Sequence, residues 1–360
     1  MNQLFEKKMK FRGDKKRHIK FPYFSARPIR LNKLFIRPVL LSQSFGKKMK
    51  FRDGKKCHIK FPYFSARPIR LNKLFIRGEI YMQKKVLVVH DLSGVGKVAL
   101  TVTLPILATL GIESCVLPTA LLSTHTGGLG ANTYLDLTEE MKKIIAHWKS
   151  LDLKFDAIYT GYLGNPKQID LVIDTIDTMT ASQCPVIIDP VMADSGKLYR
   201  GFQPDYPAKM RKLCEKATVI IPNLTEAALL LEEPFQTGPY TKDYIEDLLK
   251  RLGQLGPKKI ILTGVYFDEF EIGAASFDVE TNRINYALDK KMIGHYFGTG
   301  DIFASIVTGS VLSGKDIHAA SEIAVRFIHD AISKTLQQKQ DPKFGVCFET
   351  ELPKLLKIVN

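Results

Sequence analysis

The chain has 360 residues and a formal net charge of +15, with 45% hydrophobic and 25% charged residues. That apolar share suits a folded protein, and the length allows one large domain or two small ones. No run of 18 uninterrupted apolar residues occurs, which excludes a conventional membrane-spanning helix. Five scattered cysteines without a C-x-x-C pair point away from disulfides or structural zinc and toward a reducing, cytoplasmic setting.

The charge is uneven. Residues 1–81 hold 23 Lys+Arg against 4 acids, a charge of +19, while the other 279 residues hold 29 against 33, or −4. Within the basic part, Phe5 to Arg37 and Phe45 to Arg77 align at a period of 40. Only Glu6/Gly46, Gly13/Asp53, Asp14/Gly54 and Arg17/Cys57 differ. Such identity in two copies indicates a recent duplication, since a stacked array needs roughly three or more units. The expectation for 1–81 is a poorly structured basic extension, or an upstream extension of the reading frame. A nucleic-acid or membrane-surface arm and an organelle-targeting peptide are the alternatives.

Met82 stands directly before the first clear strand, Lys85–His90, whose continuous apolar run fits a strand buried on both faces. A helix over Lys97–Leu110 follows, despite Pro105. Further strands are expected at Ile112–Leu117, Ala157–Thr160, Val186–Asp189, Val219–Ile221 and Lys259–Leu262. Helical patterns separate them at Thr138–Lys149, Lys167–Thr180, Pro207–Glu215, Thr225–Leu231 and Thr241–Leu252. Glu271–Phe277 and Arg283–Leu288 read as an antiparallel pair, and Gly300–Leu312 and Ile317–Gln337 as the last helices. The alternation predicts one α/β domain over 82–360, a doubly wound, mostly parallel sheet flanked by helices. Ligands of such sheets bind beyond the carboxyl ends of the strands, so the loops there carry the candidate chemistry.

The first such loop, His90 to Lys97, superficially fits a phosphate-binding P-loop. Asp91 replaces the required first glycine and Val98 the Ser or Thr after Lys97, so that reading fails. Gly94-Val95-Gly96-Lys97-Val98-Ala99 fits G-x-G-x-x-A, which keeps an NAD-binding dehydrogenase as an alternative. The second strand, however, ends in Val116-Leu117-Pro118-Thr119, without the ribose-binding acid that fingerprint wants.

The stronger loop is Phe297-Gly298-Thr299-Gly300-Asp301, which opens a helical run. Glycines allow close backbone approach, and a helix start presents free N–H groups to an anion. Asp301 is either a simple helix cap or a base beside that anion, the combination phosphoryl transfer to an alcohol requires. Asp189-Pro190-Val191-Met192 and Asn223-Leu224-Thr225-Glu226 add polar clusters at two further strand ends.

G-T-G-D, N-L-T-E and D-P-V-M together resemble the ribokinase superfamily. Ser123-Thr124-His125-Thr126-Gly127-Gly128 and Gly161-Tyr162-Leu163-Gly164 resemble the vitamin B6 (pyridoxal or pyridoxamine) kinases within it. The resemblance covers nearly all of 83–340 and none of 1–81. It implies ATP-dependent phosphorylation of the 5′-hydroxymethyl group of a B6 vitamer, feeding pyridoxal 5′-phosphate salvage, with Asp301 as base. Gly298, Thr299 and Gly300 would form the anion hole. Asp189 and Glu226 would help place Mg²⁺, Asn223, Glu226 and Thr263 would serve ATP, and Thr126 and Tyr162 would line the pyridine pocket. A homodimer is implied as well, and a K⁺ requirement is left open. One departure stands out. B6 kinases commonly carry Gln-Ser-His after the first strand, where this chain has His90-Asp91-Leu92-Ser93-Gly94, closer to the hydroxymethylpyrimidine kinases. Asp91 then sits where a serine should meet the ring nitrogen, with Ser93 beside it, and a pyrimidine alcohol is the alternative substrate.

Overall fold

A computed structural model describes residues 83–180 and 183–359 of the chain. The duplicated basic segment lies outside the described residues, and so do the expectations attached to it.

The first strand, β1 (Lys85–Ser93), runs three residues past the expected end. Helix α1 (Leu100–Thr109) starts three residues later than expected, because Ala99 is held at a φ of 52° and cannot continue a helix backward. Strand β2 (Glu113–Leu122) passes through Pro118, at a point where its outer edge has no neighbour. The next strand, β3 (Tyr134–Asp136), pairs only with Ala120 to Leu122. Then follow α2 (Thr138–Ser150), β4 (Ala157–Thr160), α3 (Pro166–Met179) and β5 (Val186–Ile188). A small hairpin, β6 (Ala193–Asp194) with β7 (Lys197–Leu198), leads to α4 (Tyr206–Cys214), β8 (Val219–Ile220), α5 (Leu224–Leu230) and α6 (Lys242–Gly253). The chain finishes with β9 (Lys259–Val265), β10 (Glu271–Asp278), β11 (Arg283–Lys290), α7 (Thr299–Leu312), α8 (Ile317–Gln337) and α9 (Leu352–Val359).

Nine strands form one sheet in the order β11-β10-β9-β8-β5-β4-β1-β2-β3. The pairings from β9 through to β2 are parallel, while β10, β11 and β3 are antiparallel additions at the edges. Side chains alternate along β1, so Leu87 and Val89 enter one apolar layer and Val86 and Val88 the other. The first layer lies under α2 to α6, the second under α1, α7, α8 and α9. Both faces of the central strands are thus covered, the reason their sequences read as unbroken apolar runs. The polar residues that follow those runs are delivered together to one edge of the sheet. Among the described residues, no helix is long and apolar enough to cross a membrane.

Candidate active site

Gly298 is the N-cap of α7 and adopts a φ of 80°. A Cβ there would stand 2.0 Å from the carbonyl oxygen of Lys97, so the glycine is required by conformation and by space. Gly300 differs. A Cβ on it would meet no atom within 4 Å, so its open side faces room for a ligand at the helix start. The hydroxyl of Thr299 donates back to the carbonyl of Tyr296 at 3.2 Å and fixes the loop.

Asp301 is not a cap of its own helix. One carboxylate oxygen lies 3.0 Å from Nε2 of His90, and the other accepts the Ala99 amide at 2.8 Å. His90 was not singled out from the sequence. Its side chain is 2% exposed, within the buried run of β1, and its Nδ1 lies 3.0 Å from Asp91 Oδ1. The second oxygen of Asp91 accepts the Ser93 hydroxyl at 3.0 Å. Burial alone would strip the charge from the His90 ring. The hydrogen bonds and negative charges of Asp301 and Asp91 outweigh it and raise the ring's pKa to about 10. Ser93, Asp91, His90 and Asp301 therefore form one continuous hydrogen-bonded chain.

Asp301, Gly298, Thr299 and Gly300 line a cleft of about 560 Å³, together with Asp189, Asn223, Glu226 and Thr263. That volume suits a cofactor or small-molecule ligand. Asn223 caps α5, accepting the amides of Thr225 and Glu226, and its amide group donates to Ala193 at 2.8 Å. Glu226 completes a capping box, its two oxygens accepting the amides of Asn223 and Met192. Asn223 and Thr263 lie side by side as a parallel bridge between neighbouring chain segments. Asp189, 7% exposed, follows β5. Burial and the charge of Asp301 push its pKa up, with His90 opposing, and burial with the charge of Asp189 does the same to Glu226. Two buried, destabilised carboxylates facing one cleft are suited to a hard cation. Among the described residues, no cluster of three or more His, Cys, Asp or Glu could hold a metal, so phosphate and water oxygens would supply the remaining positions for Mg²⁺.

Asp91, Ser93, Thr126 and Tyr162 lie outside that cleft's lining. Tyr162 stacks on Phe202 with ring centres 5.6 Å apart, and burial raises its phenol's pKa beyond the normal range. Thr126 is exposed, in a loop whose Gly127 packs so closely on Phe297 that a Cβ would fall 2.1 Å from the ring. His125 packs at a tilt against the same Phe297, with ring centres 4.8 Å apart. The H-T-G loop is thereby tied to the residue just before the glycine loop. Gly161 plays the matching role on the other side, where a Cβ would stand 2.1 Å from His90 Nε2. A segment after α8 that the sequence reading did not use completes the enclosure. The Phe344 carbonyl accepts the Lys97 amide, Lys343's carbonyl lies 2.6 Å from His125 Nε2, and Glu349 pairs with the Lys97 ammonium at 2.9 Å.

The family profile for phosphomethylpyrimidine kinases matches residues 104–344. A structure from Bacteroides thetaiotaomicron, solved under that name in a crystal form with pyridoxal, is 41% identical. It covers 76% of this chain and 96% of its own, with a TM-score of 0.73. Pyridoxal kinase from Lactobacillus plantarum is 33% identical over 77% of this chain and 98% of its own, with a TM-score of 0.71. The hydroxymethylpyrimidine/phosphomethylpyrimidine kinase of Bacillus subtilis is 28% identical over 226 residues, 61% of this chain and 78% of that protein. The sheet and its loops are thus those of a ribokinase-like small-molecule kinase that uses ATP. The chain belongs to the phosphomethylpyrimidine kinase family and is an ATP-dependent small-molecule kinase. The dehydrogenase alternative is set aside. Its glycine loop holds Ala99, whose amide is given to Asp301 rather than to a pyrophosphate.

Proposed function

We propose that this enzyme transfers the γ-phosphoryl group of ATP to the 5′-hydroxymethyl group of a vitamin B6 vitamer, with Asp301 as the base. The observation that carries the reading is the Asp301 carboxylate, oriented by two donors and set in the first turn of α7 beside an open helix N-terminus. In the transfer, the substrate hydroxyl oxygen forms the new bond to γ-phosphorus, the bond to the β,γ-bridging oxygen breaks, and ADP leaves. The hydroxyl proton passes to Asp301. Free amides at the α7 start, with Gly298, Thr299 and Gly300 as the hole, stabilise the negative charge of the transferred group. Asn223, Glu226 and Thr263 sit on the ATP side of the cleft. Mg²⁺, held by Asp189 and through water by Glu226, would neutralise phosphate charge; a monovalent ion such as K⁺ is a second variable of the assay.

The alcohol is assigned to a B6 vitamer because the 41% identical Bacteroides relative was solved with pyridoxal. Tyr162 on Phe202 offers an aromatic wall for such a ring, with Thr126 at its rim. The second reading, a hydroxymethylpyrimidine, is favoured by the Bacillus relative and by Asp91 and Ser93 after β1. A homodimer and a cytoplasmic site complete the proposal. Leu121, Tyr134 and Leu135, all exposed on the β2–β3 edge, offer its apolar contact surface, which light scattering would test.

The test is phosphorylation of pyridoxal, pyridoxamine, pyridoxine and hydroxymethylpyrimidine, each with Mg-ATP and with or without K⁺. A higher kcat/KM on at least one B6 vitamer than on the pyrimidine supports the reading, and the reverse order replaces it by the second.

A further inference from the structure

We propose that His90 is the positioning residue for Asp301, its Nε2–H donating to the carboxylate that takes the substrate proton; this rests on reading Asp301 as the base. An ionised carboxylate only accepts, so Nε2, 3.0 Å away, must be the donor in that contact. With Oδ1 held by His90 and Oδ2 by the Ala99 amide, the carboxylate cannot rotate about its own axis without breaking a bond. What remains of its accepting capacity is directed to the cleft it lines.

The ring itself is locked. It is 2% exposed, and Gly161 backs it so tightly that even a methyl group would overlap Nε2. The edge of the Tyr159 ring faces it with centres 6.4 Å apart. Its other nitrogen lies 3.0 Å from the Asp91 carboxylate and also 3.0 and 3.3 Å from the amides of Asp91 and Tyr162. The charged groups acting on the ring are Asp91 from its own strand, Asp301 from α7 and Asp189 from the end of β5. Asp301 and Asp91 raise its pKa to about 10 against the cost of burial. The chain from Ser93 through Asp91 to His90 also joins the loop after β1 to the base, so a change at Asp91 reaches Asp301 without touching it. His90 keeps its own proton throughout; the substrate proton stops at Asp301.

Two variants separate positioning from bulk. His90→Gln places an amide N–H near the position of Nε2, whereas His90→Asn reaches only the position of Nδ1. His90→Asn is expected to lower kcat by about 10-fold or more with KM for ATP little changed, because a misplaced catalytic group costs rate rather than nucleotide binding. His90→Gln should recover part of that loss. Adding His90→Asn to Asp301→Asn should cost nothing further. If His90→Asn and His90→Gln turn over like the parent while Asp301→Asn is inactive, the positioning role is wrong and the base stands. An equal loss in both variants, with no recovery in His90→Gln, would reduce His90 to a packing residue. Near-normal turnover of Asp301→Asn would instead overturn the base itself.

Discussion

Nε2 of His90 lies 3.0 Å from the Asp301 carboxylate, across 211 positions of sequence. That contact joins the end of the first strand to the start of α7, the two places where glycine loops stand at the same edge of the sheet. The Lys97 carbonyl packs onto Gly298, and the Ala99 amide reaches Asp301, so the two loops form one wall. The early glycines, which resemble a nucleotide fingerprint in isolation, serve to bring backbone close to the late ones.

The two glycines of G-T-G-D should therefore fail differently. Gly298→Ala combines a φ of 80° with a Cβ 2.0 Å from a carbonyl oxygen, and a left-handed backbone alone costs on the order of 1–3 kcal/mol for other residues. A clear drop in Tm is expected. Gly300→Ala meets nothing within 4 Å and should melt like the parent while losing kcat/KM for ATP, because its methyl group would enter the proposed anion position. Thermal melts and steady-state kinetics of both variants check this; equal melting temperatures would contradict it.

Much of this arrangement was legible in the sequence, and the gaps have physical causes. The buried strands declared themselves through apolar runs such as residues 85–90, and the positions of D-P-V-M, N-L-T-E and G-T-G-D at strand ends were readable from element order. His90 was not, because nothing in its neighbours announces a partner in α7. Two-residue strands such as β6 and β7 carry no periodicity to detect. The 343–349 segment makes its contacts with the early loops through backbone carbonyls and one exposed ion pair, for which the sequence has no signature. The late start of α1 arises from the φ of Ala99, a conformation a sequence gives no reason to expect of alanine.

The His90 site gives stability a pH dependence of defined sign. Burial opposes the ring's charge, but Asp301 and Asp91 prevail and lift its pKa from the ordinary 6.5 to about 10. A group whose pKa is raised on folding stabilises fully below its unfolded value, and that contribution is lost as pH climbs through the folded one. The Tm advantage of the parent over His90→Gln should thus be largest near neutrality and below, and vanish through about pH 10. Melts across that range check it. An advantage that grows with pH would mean the ring is neutral in the fold.

Residues 1–81 contribute none of the residues placed in the site, and β1 begins at Lys85. A chain starting at Met82 should fold and retain kinase activity. It should also lose any salt-sensitive binding to nucleic acid or anionic lipid shown by the full chain, because the +19 of the leader would be the source. Titrations of both chains at two salt concentrations, beside a kinase assay, decide the matter. An inactive or insoluble shorter chain would make the leader part of the fold.

The role of Asp301 as base is tested by the rate of pyridoxal 5′-phosphate formation from pyridoxal and Mg-ATP in the parent and in Asp301→Asn. Removing a general base costs roughly 10²-fold or more, while the ATP contacts proposed elsewhere in the cleft would persist. The parent should transfer phosphate, and the variant should lose kcat by at least about that factor with ATP binding unchanged. Turnover by Asp301→Asn close to that of the parent, with the fold intact, would contradict it.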